Sequence, residues 1–215
     1  MSSARDRSDP LGVAVVGLGF MGQTHVRAFQ GVKGARLVAV CDRDANRLDG
    51  RVRSAGNIET GGRGEFLFDP AEVRGYRDLE ALLDDDGVDA VSVCTHTTTH
   101  IEVARAAIAA GKHVLIEKPV SLDPGEITSL DTAARGAGVV AMPAMCMRFW
   151  PGWSWLKERV DSGDLGSVRS ATFHRLGSRP TWGAGFYEDE ARSGGALFDL
   201  HIHDADMVRW LFGDP

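Results

Sequence analysis

The feature that most constrains this chain is a glycine pattern, GLGFMG at residues 17–22, which ends a short β-branched run at residues 12–17. The pattern G-x-G-x-x-G is informative only between a strand and a helix, and a helix is predicted to follow it here. In that setting Gly17 allows the tight turn, Gly19 lets the backbone approach a pyrophosphate, and Gly22 lets the helix pack closely on the strand. The helix N-terminus offers N–H groups and a positive dipole end to phosphates. The pattern therefore predicts a dinucleotide phosphate loop.

Apolar runs and helical segments alternate along the first two thirds of the chain. The predicted strands are residues 12–17, 35–41, 88–94, 112–116 and 138–142, and the predicted helices are residues 23–30, 44–53, 78–83, 100–110 and 126–135. Near-continuous apolar strands separated by helices indicate a parallel sheet covered on both faces. The expected fold class is α/β, a Rossmann-type doubly wound parallel sheet. A glycine-rich stretch at residues 55–74 has no clear period and is predicted to be a long surface insertion.

The second predicted strand ends at Asp42, which follows Gly22 by 20 residues. A carboxylate at this position can accept hydrogen bonds from a ribose diol, which favours NAD. The neighbouring Arg43 could instead pair with a 2′-phosphate, so NADP stays open. The alternative is that the glycines form only a tight turn and that Asp42 is a solvated loop acid.

Composition and charge exclude several other classes of protein. Hydrophobic residues make up 43% and charged residues 25% of the 215 residues, as in a globular protein. A net charge of −6 without a basic cluster argues against nucleic-acid binding. No apolar run is long enough for a membrane span. Three cysteines are too few for a disulfide framework, so we expect a cytoplasmic protein. The polar residues 1–10 are predicted to be a disordered tail.

Polar side chains follow the predicted strand that ends at residue 94. Thr95, His96 and His100 lie where ligands bind in open α/β sheets, beyond the carboxyl ends of the strands. Thr99 and Glu102 fit a capping box, which would start the next helix at Thr99. Capping explains the threonine but not the two histidines, which we place near the cofactor.

The tripeptide Glu117-Lys118-Pro119 follows the next predicted strand. A lysine that emerges there can place a cation beside a substrate oxygen and stabilise developing negative charge. The alternative is a lysine that extends to solvent.

The last part of the chain is predicted to contain a helix at residues 153–162, a strand at 167–174, a loop at 179–195 and a long helix at 196–212. On one helix, Asp199, His203 and Asp206 would share a face. A carboxylate one turn from an imidazole can raise its basicity, as a general base needs. The alternatives are a structural Asp–His pair and a metal site. His201 and His203 point to nearly opposite sides of a helix, so we predict no metal site.

Taken together, these motifs resemble the Gfo/Idh/MocA oxidoreductase family. The resemblance rests on GLGFMG, the strand end at Asp42, VSVCTHTTTH, HVLIEKP, MRFWP and GGALFDLHIHDADMVRWLFG. The combination of EKP with a downstream D-x-x-x-H carries most of its specificity. The resemblance covers residues 11–213.

The resemblance implies roles for individual residues. Lys118 would lie beside the reacting carbinol, His203 would be the acid/base, and Asp199 would orient it. Many members have proline where this chain has His96. The implied cofactor-binding residues are Gly17, Gly19, Phe20, Met21, Gly22, Asp42, Arg43, Thr95, His96, His100, Glu117 and Lys118. Arg148 matches an arginine often found after the Rossmann domain, with no role assigned.

The implied activity is NAD(P)-dependent hydride transfer from a secondary alcohol of a sugar, a cyclitol such as myo-inositol, or a related polyol. Two other functions stay open, a non-catalytic NAD(P)-binding regulator and a reductase acting on an imine or a conjugated double bond. Residues 11–145 would form the cofactor domain and residues 146–215 an incomplete substrate and dimerisation domain with an open antiparallel sheet. We therefore expect a fragment, the alternative being that another chain supplies the rest of the domain, and the sequence leaves open whether this chain is active alone. The resemblance implies homo-oligomers for a full-length protein, but not for this chain.

Overall fold

The computed structural model describes residues 9–53, 56, 64–177 and 185–214. The predicted tail at residues 1–10, the insertion at 55–74 and the loop at 179–195 lie partly outside the described residues. The chain divides into two compact units, one ending at Pro143 and the other beginning at Ala144.

The first unit is built around a six-stranded sheet in which every pair of neighbouring strands is parallel. The strands are β1 (Leu11–Val16), β2 (Ala35–Cys41), β3 (Arg74–Tyr76), β4 (Ala90–Val93), β5 (His113–Ile116) and β6 (Ala141–Pro143). Its helices are α1 (Phe20–Gly31), α2 (Leu79–Leu83), α3 (Thr97–Ala109) and α4 (Pro124–Ala137). The strand order β3-β2-β1-β4-β5-β6 confirms the predicted Rossmann-type sheet.

Apolar side chains bury both faces of this sheet. Along β1, Ala14 and Val16 belong to one buried cluster, whereas Val15 belongs to another that includes Val26 of α1. Successive side chains of a strand point to opposite faces, so two clusters mean that both faces are covered. This burial explains why the strands are continuously apolar in sequence.

The structure corrects the predicted helix at residues 44–53. Only a short 3₁₀ turn forms there, Ala45–Asp49, with the side chain of Asp44 capping its start. Gly50 ends the turn in the left-handed conformation, with φ of 77°. A Cβ on Gly50 would lie 2.2 Å from the carbonyl oxygen of Phe68, so the backbone is too close there for a side chain. The short edge strand β3, at the end of the predicted insertion, was not predicted.

Within residues 144–177 and 185–214 of the second unit, all regular secondary structure is helical, and residues 166–177 are irregular. Its helices are α5 (Pro151–Ser162), α6 (Glu190–Ser193), α7 (Gly195–Asp199) and α8 (His201–Phe212). The predicted strand at residues 167–174 is wrong, because this described segment pairs with no other strand. A small core of Met147, Met207 and Leu211 holds the unit together, and the rings of Trp153 and Phe173 stack beside it at 6.0 Å.

No helix in the described part of the chain is long and apolar enough to cross a membrane.

Candidate functional site

The carboxyl ends of four neighbouring strands are in register. Val16 pairs with Cys41 and with Val93, and Val93 pairs with Ile116. The ladder continues one residue further, since the N–H of Glu117 donates to the carbonyl of Val93 at 3.0 Å. The residues that follow β1, β2, β4 and β5 therefore lie along one edge of the sheet, where open α/β proteins bind ligands.

The glycine loop occupies this edge between β1 and α1. Gly17 has φ of 90°, and a Cβ on it would lie 2.8 Å from the carbonyl oxygen of Cys94. A Cβ on Gly22 would lie 1.8 Å from the carbonyl oxygen of Gly17. These contacts confirm the tight turn and the close helix–strand packing predicted for the two glycines.

Gly19 differs from these two glycines because the space beside it is open. The nearest atom to a Cβ built on Gly19 is a guanidinium nitrogen of Arg47, at 3.9 Å. Gly19 is also the N-cap of α1, with no side-chain cap and no acidic residue in the first turn. The positive end of the helix dipole is therefore not offset by the helix itself, which suits an anionic group.

The carboxylate of Asp42 binds the glycine loop. One oxygen accepts the N–H of Leu18 at 2.8 Å, and the other accepts the N–H of Asp44 at 2.9 Å. The side chain is only 12% exposed, which overturns the alternative of a solvated loop acid. Arg47 reaches Asp42 at 3.4 Å, whereas Arg43 is exposed. Sequence reasoning missed Arg47. Its side chain reaches Asp42 because the turn that Asp44 caps brings Arg47 back toward the end of β2.

The segment after β4 differs from its predicted form. Helix α3 begins at Thr97 with the exposed His96 at its N-cap, so the predicted capping box at Thr99 is wrong. The hydroxyl of Thr99 instead donates to the carbonyl of His96 within the first turn. Thr95 immediately precedes this turn and is half-buried.

His100 is buried and joins two loops at the sheet edge. Its ring nitrogens lie 2.9 Å from the carbonyl oxygen of Pro119 and 3.1 Å from that of Thr95. Burial lowers the pKa of His100 below its ordinary value, although these carbonyls oppose the shift. His100 thus connects the loop after β4 to the loop after β5.

Lys118 is half-buried at the end of β5, with its backbone N–H 3.1 Å from a carboxylate oxygen of Glu117. Glu117 is buried, and its other oxygen lies 3.0 Å from Nε2 of His25 on α1. Sequence reasoning missed His25. Its partners Glu117 and Ser92 are 92 and 67 residues away in the chain, so no local pattern could have found it.

The predicted helix at residues 196–212 is interrupted at Leu200. Asp199 is the buried last residue of α7, and the half-buried His203 lies in the first turn of α8. The N–H of His203 donates to the carbonyl of Leu200, which tightens the start of α8 to three-residue spacing. Asp199 and His203 therefore lie on either side of the break between α7 and α8.

Asp206 has a structural partner. Its carboxylate forms a two-pronged pair with the guanidinium of Arg148, with one contact of 2.8 Å. Asp206 follows His203 by three residues on α8, and its carboxylate is bound by Arg148, which acquires a role in the second unit. His201 is exposed, and the described ranges contain no group of three or more residues arranged to hold a metal ion.

Comparisons with known proteins agree with both units. Residues 11–145 match the model of an oxidoreductase family with an NAD-binding Rossmann fold, and residues 153–215 match the GFO/IDH/MocA C-terminal domain. The chain is 32% identical to scyllo-inositol 2-dehydrogenase (NAD(+)) of Bacillus subtilis, covering 93% of this chain and 53% of that protein. It is also 32% identical to myo-inositol 2-dehydrogenase of Thermotoga maritima, covering 94% and 55%.

A solved structure shares the fold over the whole chain. The crystal structure of GenD2 from gentamicin A biosynthesis, in complex with NAD, matches with a TM-score of 0.76 and 29% identity, covering 100% of this chain and 57% of that one. The chain spans about half the length of the curated relatives it matches.

Proposed function

Because this chain belongs to the Gfo/Idh/MocA oxidoreductase family, we propose that it works as an NAD(P)-dependent dehydrogenase. The reaction would transfer a hydride between the nicotinamide and a secondary alcohol of a sugar, a cyclitol or a related polyol. The observation that carries this proposal is the shared edge of the sheet, which holds the glycine loop, Asp42 and Lys118. Relatives named as inositol dehydrogenases support the substrate class.

We propose NAD rather than NADP as the cofactor. The residues present fit a dinucleotide, because the open space at Gly19 suits a phosphate and the carboxylate of Asp42 suits a ribose diol. A 2′-phosphate beside a carboxylate that is 12% exposed would meet like charge, although Arg47 lies 3.4 Å from that carboxylate. The other proposed contacts are Phe20, Met21, Arg43, Thr95, His96, His100 and Glu117.

The proposed chemistry assigns one task to each of three side chains. The nicotinamide supplies the hydride acceptor when it is bound. His203 takes the proton from the substrate hydroxyl, and Asp199 orients the imidazole. The ammonium group of Lys118 stabilises negative charge on the same substrate oxygen.

The remaining assignments are proposals of the same kind. Residues 11–145 would be the cofactor domain, and residues 146–215 would contribute to a substrate domain. We propose homo-oligomers for a full-length protein but not for this chain. We propose the cytoplasm as its compartment, since Cys41 and Cys94 are buried thiols outside any disulfide.

The direct test is NAD reduction with a panel of polyols that includes myo-inositol, followed by the absorbance of the reduced nicotinamide. His203→Asn should lower the rate about a hundredfold or more, and Lys118→Ala by a similar factor. The matched controls are His201→Asn and Lys157→Ala, which change exposed or partly exposed residues on α8 and α5. NAD binding without reduction of NAD by any polyol would favour the non-catalytic regulator or an inactive fragment.

A further inference from the structure

We propose that His25 is a positioning residue for Lys118 and acts on it through Glu117. This proposal rests on the proposed function only because that function gives Lys118 a catalytic task.

His25 joins the helix that starts at the glycine loop to the two strands beneath it. It lies on α1, and Nε2 is 3.0 Å from one carboxylate oxygen of Glu117 at the end of β5. Nδ1 is 2.7 Å from the hydroxyl of Ser92, a fully buried residue of β4. Both ring nitrogens therefore have partners, and these partners fix the imidazole in position and rotation.

Glu117 transmits this constraint to Lys118. One carboxylate oxygen faces His25, and the other accepts the backbone N–H of Lys118 at 3.1 Å. The backbone of Glu117 is itself held by the carbonyl of Val93. A rotation of the Glu117 side chain would break both contacts at once, so the orientation of Lys118 is coupled to α1.

Because His25 and Glu117 are both buried, the loss of His25 should disturb Glu117 and its neighbour Lys118 first. The side chains of His25 and Glu117 are only 13% and 9% exposed. A buried carboxylate that loses its cationic partner must find water or another donor, so it moves. Such a movement would first affect Lys118, because its backbone N–H donates to the same carboxylate.

A second tether acts on the other side of Lys118. His100 of α3 lies 2.9 Å from the carbonyl oxygen of Pro119. The lysine is therefore flanked by two residues that are each bound to a histidine, one from α1 and one from α3. Because Gly19 is the N-cap of α1, the helix expected to meet the cofactor phosphate is the one that orients the lysine.

The test is amide hydrogen exchange of the full chain, measured residue by residue by NMR at pH 7 without cofactor. In His25→Ala we expect the Lys118 amide to exchange about tenfold faster, which is the scale of losing a hydrogen bond to a charged group. His25→Gln keeps a donor and should restore part of the protection. The matched control is His113→Gln, which removes a histidine whose ring accepts the N–H of Val140 on the same sheet.

A purely structural role for His25 predicts a different pattern. It would raise exchange across α1, including Val26, by the same factor as at Lys118. Either that uniform increase or an unchanged Lys118 rate in His25→Ala overturns the proposal. If His25→Ala is unfolded, Glu117→Gln provides the same test, because it keeps the side-chain shape and removes the charge.

Kinetics separate this inference from the proposed function. With an active protein, His25→Ala should lower kcat about tenfold and leave KM for NAD within twofold, and His25→Gln should recover part of kcat. A rise in KM alone would overturn positioning. If the Lys118 amide responds as expected but no polyol reduces NAD, the proposed function fails and the positioning stands.

Discussion

An oxygen of the Asp42 carboxylate lies 2.8 Å from the backbone nitrogen of Leu18, so the end of β2 holds the loop that follows β1. This contact makes Asp42 part of the glycine loop as well as a candidate partner for ribose. Asp42→Ala should therefore lower the free energy of unfolding by about 1–3 kcal/mol, because the N–H of Leu18 loses its acceptor. It should also weaken NAD binding about tenfold.

Urea unfolding and calorimetric titration measure the two effects. Asp42→Asn is the matched variant, since it keeps an acceptor for Leu18 and removes the charge. Wild-type affinity for NAD in Asp42→Ala would exclude the ribose role of Asp42.

Gly19 and Gly22 should respond in opposite ways to the same substitution. A Cβ on Gly22 would lie 1.8 Å from the carbonyl oxygen of Gly17, so Gly22→Ala should destabilise the protein by about 3 kcal/mol or more. A Cβ on Gly19 meets nothing closer than 3.9 Å, so Gly19→Ala should change the free energy of unfolding by less than about 0.5 kcal/mol. Thermal unfolding of both variants checks the contrast, and equal destabilisation would contradict it.

The pair between His25 and Glu117 should make stability depend on pH in the alkaline range. Burial alone would lower the pKa of His25, but the neighbouring Cys94 and Glu117 raise it from 6.5 to about 10. Cys94 and Glu117 are the titratable groups that face the ring, together with the hydroxyl of Ser92. A raised pKa gives stability that is full below pH 6.5 and is lost as pH rises toward 10.

The expected loss is on the order of 1–3 kcal/mol, the scale of hydrogen bonds to charged groups. Urea unfolding between pH 6.5 and 10 measures it, and His25→Gln should flatten the profile. A wild-type profile parallel to that of His25→Gln would show that folding does not raise the pKa of His25.

The Arg148–Asp206 pair should stabilise the second unit without affecting the cofactor. The Asp206 side chain is 13% exposed, so Asp206→Asn should lower the free energy of unfolding by about 1–3 kcal/mol. The control is Asp214→Asn, whose partner Arg209 is exposed on the surface, and it should change stability by less than about 0.5 kcal/mol. NAD affinity should be unchanged in both, and a loss of affinity in Asp206→Asn would contradict a local role.

The sheet could be predicted from sequence because its signals are local. Continuous apolar runs predicted five of the six strands, and the glycine pattern predicted the turn at Gly17 and the packing at Gly22. The edge strand β3 was not predicted because its sequence, Arg-Gly-Tyr, lacks the apolar run that marks the other strands. The helix expected at 44–53 failed because the left-handed Gly50 depends on the distant Phe68.

The site was harder to predict where partners are far apart in the chain. The i, i+4 and i, i+7 spacing of Asp199, His203 and Asp206 assumed one uninterrupted helix, and the break at Leu200 removes that assumption. Asp206 instead pairs with Arg148, 58 residues away. His25 shows no local signal at all, since its role depends on two strands that only the fold brings beneath it.

The most direct test of whether the glycine loop binds NAD is a calorimetric titration of NAD into the folded chain and into Gly19→Ala. NAD should bind the wild-type chain saturably and one-to-one, and it should bind Gly19→Ala at least about tenfold more weakly at unchanged stability. A wild-type chain with a folded circular-dichroism spectrum that binds neither NAD nor NADP would contradict it.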